Sequence, residues 1–167
     1  TALPWYFGPY ITTYNKEVFK RAGLDENMPP KTMDELFEAA AKVGADGQGD
    51  YGIYGSPEWY MVAQLHGMGV NLLNADKTAF DFADNEAAIK YVTKLSELYA
   101  AGAIPKDSLT GEPDPGKAYA DGNLAFGTPN AGFLKSVKKN NETVYENTGV
   151  GPFPTNPGIK PVFEGQY

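Results

Sequence analysis

The stretch RAGLDENMPPKTMDELFEAAAKV, residues 21–43, predicts two helices joined by a short, stiff corner. Gly23 is expected to end the first helix, because glycine readily adopts the left-handed conformation that closes a helix. The two prolines of the corner hold the chain extended, since neither can continue a helix. Thr32, with Glu35 three residues later, has the capping-box pattern that begins a second helix. Such a corner fits any globular protein, so the fold has to be inferred from the segments on either side.

Strands and helices alternate along the rest of the chain. Strands are expected where β-branched and aromatic residues cluster, at 10–15, 51–55 and 123–127. Helices are expected from Asn15 to Gly23, over about 32–43, over 57–69, from Asp84 to Gly102, near 117–121 and over 130–140. The connections include a hairpin around 74–77, a mobile loop at 108–116 and an extended proline-rich segment from 149 to 161. This order indicates an α/β protein in which the helices outweigh the strands.

Composition excludes several classes of function. With 167 residues, the chain is long enough for one domain with a substantial core. The net charge is −7 and the 14 basic residues form no long run, so a nucleic-acid partner is not expected. The absence of cysteine excludes thiol catalysis, cysteine-ligated zinc and disulfides. No stretch approaches the ~20 apolar residues that cross a bilayer, so stable membrane insertion is not expected.

Two glycine- and aspartate-rich patterns in 46–52 do not satisfy the motifs they resemble. GQGDYG matches G-x-G-x-x-G, but it follows a helix and enters a strand, whereas the dinucleotide motif does the reverse. The aspartates at 46 and 50 resemble the start of a calcium loop, but the required glycine and glutamate are Tyr51 and Pro57. The single histidine, His66, cannot build a catalytic triad without a nucleophile motif. We therefore expect no cofactor and no metal.

Paired carboxylates leave an enzyme as an alternative. A glycosidase needs two carboxyl groups on either side of the scissile bond. Glu58, among aromatic residues, is the best acid candidate, and its partner would come from Asp81, Glu112 or Asp114. The spacing of these residues in the sequence does not place any of them opposite Glu58.

Aromatic residues are concentrated in two proline-bounded clusters, PWYFGPY at 4–10 and PEWY at 57–60. Such clusters suit a rigid contact surface, although any single tyrosine or phenylalanine could equally fill the core.

Five segments together resemble the extracellular solute-binding proteins of the maltose-binding type, the sugar receptors of ABC importers. TTYNKEVFKRAGLDENMPPKTMDELFEAAAKV is similar to the Y-N-K-x-x-F-K-K-A-G-L…P-P-K-T-W-x-E stretch of that family. The similarity continues in the same order through four further segments: YGIYGSPEWYMVAQLHGMGVNLLNAD, DNEAAIKYVTKLSELYAAGAIPKD, AYADGNLAF and VGPFPTNPG.

The resemblance implies the fold and a set of site residues. It implies one lobe, of the C-terminal type, of a type II periplasmic-binding-protein-like fold, helix-rich around a small sheet and spanning 1–167. The segments 1–9 and 150–167 would lie next to the hinge, and the other lobe would belong to a longer protein of which this chain is a piece. The implied ligand-binding residues are Trp5, Tyr6, Phe7, Tyr10, Glu58, Trp59, Tyr60 and Asn130. Trp59 would stack on a sugar, and Asn130 would offer hydrogen bonds where relatives often have a tryptophan.

The function expected from this resemblance is non-catalytic carbohydrate binding, with an oligosaccharide held between two lobes. The partners would be the carbohydrate and the permease subunits of an ABC importer, and the location would be extracytoplasmic, in the periplasm or on a cell-surface lipoprotein. Two alternatives stay open: a carbohydrate-active enzyme domain that uses Glu58, and a receptor for a peptide or another polar solute on the same fold.

Overall fold

Four strands form two antiparallel ribbons. The computed structural model of the chain describes residues 6–46, 48–55, 60–109, 114–160 and 163–166. Strand β1 (Tyr6–Pro9) pairs with β4 (Phe163–Gln166), and β2 (Ile11–Asn15) pairs with β3 (Thr148–Pro152). The register places Gly8 opposite Glu164 and Thr13 opposite Val150. The two segments predicted to lie near a hinge are therefore neighbours.

The prediction of full strands at 51–55 and 123–127 is wrong, because each segment forms only isolated β-bridges. Leu124 bridges Tyr51 and Phe126 bridges Tyr14, which extends the β2 ribbon sideways. Pairing stops early because the N–H groups of Gly52 and Ile53 both donate to the carbonyl oxygen of Ala103, at 2.8 and 3.3 Å.

The predicted caps of the first two helices are confirmed. Asn15 precedes α1 (Lys16–Arg21), and its Oδ1 accepts from the N–H groups of residues 17 and 18. Gly23 follows the helix with φ +65°, a conformation that favours glycine. Helix α2 (Met33–Ala45) begins at Thr32, whose Oγ1 accepts from Glu35 N at 3.1 Å while Glu35 Oε2 accepts from Thr32 N at 3.3 Å.

We expect Thr32→Ala to lower the free energy of unfolding by about 1 kcal/mol, because the N–H of Glu35 loses its acceptor. A denaturation midpoint in urea measures the change. Thr93→Ala is the matched control, since Thr93 is exposed in the interior of the helix Glu86–Ala100, away from both of its ends. Equal midpoints for the two variants would contradict the contribution assigned to the cap.

The remaining helices follow the expected order with corrected boundaries. They are α3 (Tyr60–Gly67), α4 (Glu86–Ala100), a 3-10 helix (Lys106–Leu109), α5 (Pro115–Ala120), α6 (Leu134–Asn140) and α7 (Glu142–Glu146). The expectation for 57–69 is shortened to α3, with 57–59 outside the described residues. The centre of the loop expected to be mobile, 110–113, also lies outside them. In the described segments, no helix has both the length and the apolar character needed to cross a bilayer.

Two of the predicted helix boundaries are wrong, and in both cases an asparagine side chain that caps a helix sets the observed boundary. The cap of α4 is Asn85 and not Asp84, because Asn85 Oδ1 accepts from the N–H groups of Ala87 and Ala88 at 2.9 and 3.3 Å. The single helix expected over 130–140 is shorter, and α7 was not expected. Asn141 separates α6 from α7, since its Oδ1 caps the second helix while its Nδ2 donates to the carbonyl oxygen of Ala120 at 2.9 Å.

The helices pack on the bridged strands in two hydrophobic clusters. The larger cluster joins β2 to the first four helices and contains Val18, Met33, Ala40 and Val43, each fully buried. The smaller one lies under α5, α6 and α7 and centres on Tyr119, Leu124 and Val137. The loop that connects 123–127 to α6 passes beside the start of β2, where Ile11 N donates to the carbonyl oxygen of Pro129.

Candidate functional site

A small cavity opens where β2 begins, between the segment 126–129 and helix α3, and its volume is about 60 Å³. The main chain closes one side, because Ile11 N donates to the carbonyl oxygen of Pro129 at 2.9 Å. The residues that line the cavity share an apolar or uncharged polar character: Ile11, Thr12, Thr13, Leu36, Ile53, Tyr54, Gln64, Pro115, Phe126, Gly127, Thr128, Pro129, Phe153 and Pro154.

Not one of these lining residues carries a charge. The three threonine hydroxyls donate to main-chain oxygens. Thr12 donates to Pro152 at 2.8 Å and Thr13 to Thr128 at 3.0 Å, both on neighbouring segments, whereas Thr128 donates to Asn130 in its own loop at 3.4 Å. These bonds hold the walls together, and each hydroxyl oxygen keeps acceptor capacity. The cavity can therefore receive apolar surface and hydroxyl groups, whereas an ion would find no countercharge in this lining.

Two of the predicted site residues adjoin this cavity. Tyr10 immediately precedes the lining residue Ile11, and its ring centroid lies 5.7 Å from that of Phe153. Asn130 immediately follows Pro129, and its Oδ1 accepts from Gly132 N at 2.9 Å. The Asn130 amide is thus partly used in shaping the loop, so its role in ligand binding stays a prediction.

The other predicted site residues cannot be compared with the cavity. Trp5, Glu58 and Trp59 lie outside the described residues. Tyr6, Phe7 and Tyr60 have a described backbone only, in β1 and at the first residue of α3. Their assignment as ligand contacts stays a prediction.

The structure adds lining residues that the sequence analysis missed, among them Gln64, Thr128 and Phe153. Gln64 lies in a helix that the sequence predicts. Its hydrogen bond with Tyr91 distinguishes it from a surface glutamine, and the sequence does not show that contact. Thr128 and Phe153 reach the cavity through pairing with β2, over sequence separations that no local pattern encodes. The one indication in the sequence was Gln64 itself, a polar residue between the apolar residues of α3.

A second, larger groove of about 460 Å³ lies on the other side of Tyr54, among Tyr51, Asp107, Asp114 and Lys117. Burial raises the pKa of Tyr54, and the charges of Asp107 and Asp114 raise it further.

Asp114, one candidate partner for Glu58, accepts from Lys117 N at 2.9 Å as the cap of α5. Asp81, another candidate, is exposed beside the hairpin. Neither carboxylate lines the cavity.

The aspartate pattern that resembled a calcium loop has a structural role. Asp50 is buried, and both its oxygens accept from the guanidinium of Arg21 at 2.7 Å. Arg21 also donates to the carbonyl oxygen of Gly122 at 3.2 Å, so the pair connects α1 to two neighbouring loops. The described residues contain no cluster of three or more potential metal ligands.

Comparison with known proteins identifies the class. The sequence model of the bacterial extracellular solute-binding protein family matches residues 1–167. The chain belongs to this family, which confirms the resemblance seen in the sequence.

A curated relative and two solved structures agree with this assignment. The chain is 28% identical over 170 residues to the sn-glycerol-3-phosphate-binding periplasmic protein UgpB of Brucella abortus, covering 96% of this chain and 37% of that protein. An ABC transporter solute-binding protein from Thermotoga lettingae, solved with bound alpha-D-tagatose, is 25% identical with a TM-score of 0.74, covering 98% of this chain and 43% of that one. The GacH receptor of Streptomyces glaucescens, at 24% identity, shares the fold with a TM-score of 0.72, over 98% of this chain and 42% of that one.

The predicted fold class is confirmed by these structures. The chain spans about two fifths of the length of the relatives it matches.

Proposed function

We propose that this chain is one lobe of a receptor that binds a neutral carbohydrate in the cleft between two lobes and delivers it to an ABC importer. The observation that carries the proposal is the cavity at the start of β2, which combines an uncharged lining with a volume of about 60 Å³. Complete small-molecule sites usually enclose roughly 300 to 1,000 Å³. A cavity this small can hold part of a ligand, and a second surface is needed to enclose the rest.

The chemistry of the lining favours a neutral sugar. A pyranose offers C–H faces, which suit rings such as Phe126 and Phe153, and hydroxyl groups, which suit threonine and carboxamide side chains. The relative from Brucella abortus is named for an anion, sn-glycerol-3-phosphate. Because the described lining holds no basic side chain, it offers a phosphate no countercharge, and this supports a neutral ligand for the present chain.

The pairing of β1 with β4 supports the proposed division into lobes. We infer that residues 1–167 form a single lobe and that 1–9 and 150–167 lie beside the hinge, since these segments meet at one ribbon. Closure of two lobes about such a hinge would bury the ligand. In this proposal the receptor acts outside the cytoplasm, does not catalyse a reaction and engages permease subunits, in keeping with the periplasmic names of its relatives.

A thermal-shift screen tests the proposed ligand class. The two-lobe protein containing this lobe is compared with neutral mono- and oligosaccharides on one side and sn-glycerol-3-phosphate on the other. A ligand that binds only the native state raises the melting temperature by mass action. We expect a rise with at least one neutral sugar; a rise with sn-glycerol-3-phosphate alone would contradict the proposed ligand class.

We expect Trp59→Ala in the same protein to weaken sugar binding by roughly 5- to 150-fold, which corresponds to about 1–3 kcal/mol by analogy with aromatic stacking on bases. Trp59 belongs to the aromatic cluster at 57–60 and directly precedes α3 in the sequence. Stability should change little, and Trp59→Phe should retain much of the affinity because it keeps a flat ring. A core tryptophan would behave differently, costing about 3–5 kcal/mol of stability on truncation. Loss of stability with normal sugar affinity in the folded fraction would show that Trp59 is structural.

A further inference from the structure

Gln64 on α3 lines the cavity, and its side chain is also hydrogen-bonded to a residue of the neighbouring helix. The hydroxyl of Tyr91, on the neighbouring helix α4, donates to Gln64 Oε1 at 2.7 Å. Tyr91 is only 2% exposed and packs in the larger core cluster, with its ring centroid 5.9 Å from that of Phe37. The acceptor end of the glutamine is therefore fixed by a rigid part of the fold.

This contact determines which end of the carboxamide is available. A glutamine side chain has one acceptor oxygen and two N–H donors. Burial raises the pKa of Tyr91, so its hydroxyl keeps its proton at neutral pH and goes on donating to Oε1. Among the described segments, Gln64 Nε2 has no hydrogen-bond partner, and it is not one of the fully buried polar atoms. The two donors are thus unpaired within the described part of the chain, on a side chain that lines the cavity.

We propose that Gln64 Nε2 donates a hydrogen bond to an uncharged oxygen of the ligand, a hydroxyl or hydroxymethyl oxygen that enters the cavity, and that Tyr91 is the residue that positions it. This inference rests on the proposed function and names the group of the sugar that this lobe recognises. The cavity volume of about 60 Å³ is several times the 10–15 Å³ needed for one water, so a group of a few heavy atoms fits.

The same arrangement selects against an anionic group. Thr12, Thr13 and Thr128 already donate their hydroxyl protons to main-chain oxygens, so the described lining leaves two side-chain donors, the amide of Gln64 and the hydroxyl of Tyr54, and both are uncharged. Uncharged donors of this kind do not offset the cost of removing a charge from water.

Nuclear magnetic resonance of the isotopically labelled chain tests this contact directly, and it detects weak binding by a single lobe. The chain has only three glutamines, Gln48, Gln64 and Gln166, so the side-chain amide of Gln64 is identified by its loss in Gln64→Glu. The probes are glucose, galactose, mannose, maltose and cellobiose, and separately sn-glycerol-3-phosphate. We expect a neutral sugar to shift the Gln64 amide signals and to leave those of the exposed Gln48 in place.

Affinity measurements give a second readout. Gln64→Glu keeps an acceptor for Tyr91 but removes both donors, so affinity for the neutral sugar should fall about tenfold or more. Gln48→Glu makes the same charge change on an exposed loop and should have no effect. Tyr91→Phe should weaken binding several-fold in the parent chain. It should have no further effect when combined with Gln64→Leu, because the tyrosine acts only through that side chain.

The outcomes separate this inference from the proposed function. Sugar binding with unmoved Gln64 amide signals, or with equal affinities for Gln64→Glu and Gln48→Glu, would overturn the inference alone. Binding of sn-glycerol-3-phosphate without any sugar would overturn both the ligand class and the inference. If no probe binds the chain or the two-lobe protein, the proposed function fails and the inference fails with it.

Discussion

Phe19→Ala is expected to lower the free energy of unfolding by about 3–5 kcal/mol, the largest effect that we predict for a single substitution. Phe19 is 1% exposed, and its ring centroid lies 4.8 Å from that of Tyr14 and 5.3 Å from that of Phe126. Removing the ring leaves a cavity between α1 and the bridged strands, in a region that has little freedom to collapse. Because Phe126 lines the proposed site, the substitution should also loosen one wall of that site.

Chemical denaturation measures this effect, and Phe80→Ala provides the matched control. Phe80 is 77% exposed and contacts Phe82 edge to face, with ring centroids 6.2 Å apart. Its loss should change stability by no more than about 0.5 kcal/mol, as expected for a surface position. If the two variants unfold at the same denaturant concentration, the core assigned around Phe19 is wrong.

Arg21→Met is expected to cost about 3 kcal/mol, the second largest effect. The side chain of Asp50 is 5% exposed, and removing the guanidinium leaves its carboxylate buried without a countercharge. Breaking a buried pair in this way typically costs about 3–5 kcal/mol, and the partial exposure of Arg21 places this pair at the low end.

The exposed pair between Lys90 and Asp34, also 2.7 Å apart, is the matched control. Lys90→Met should cost less than about 1 kcal/mol, because both partners are solvated. Adding Asp50→Asn to Arg21→Met should recover part of the lost stability, since it removes the buried charge. Equal costs for Arg21→Met and Lys90→Met would show that burial of Asp50 contributes nothing.

Local features of the fold could be predicted because they depend on residues close together in the sequence. The caps at Asn15 and Thr32 were predicted from their position before a helix, and both hydrogen-bond as expected. The cap of α4 was assigned one residue too early, since Asp84 and Asn85 are both good capping residues and the geometry decides between them. Helix α7 was missed because Asn141 separates two short helices and no hydrophobic period identifies the second.

The candidate site could be predicted only in outline. The resemblance to solute-binding proteins directed attention to the segments around 10, 59 and 130, and two of these adjoin the cavity. Gln64 and Tyr91 are 27 residues apart, and Thr13 and Thr128 are 115 residues apart, so their contacts depend on tertiary packing. A glutamine within a predicted helix gives no indication of which of its atoms will hydrogen-bond to a tyrosine far away in the sequence.

The central claim is that this lobe supplies one half of a carbohydrate site. Calorimetric titration of the chain and of the two-lobe protein with the same neutral sugar tests it most directly. If the lobe provides only half of the contacts, the two-lobe protein should bind at least roughly 100-fold more tightly, which is about 2.7 kcal/mol. Equal affinity in the two proteins would place the whole site within these residues, and absence of sugar binding by the two-lobe protein would contradict the carbohydrate assignment itself.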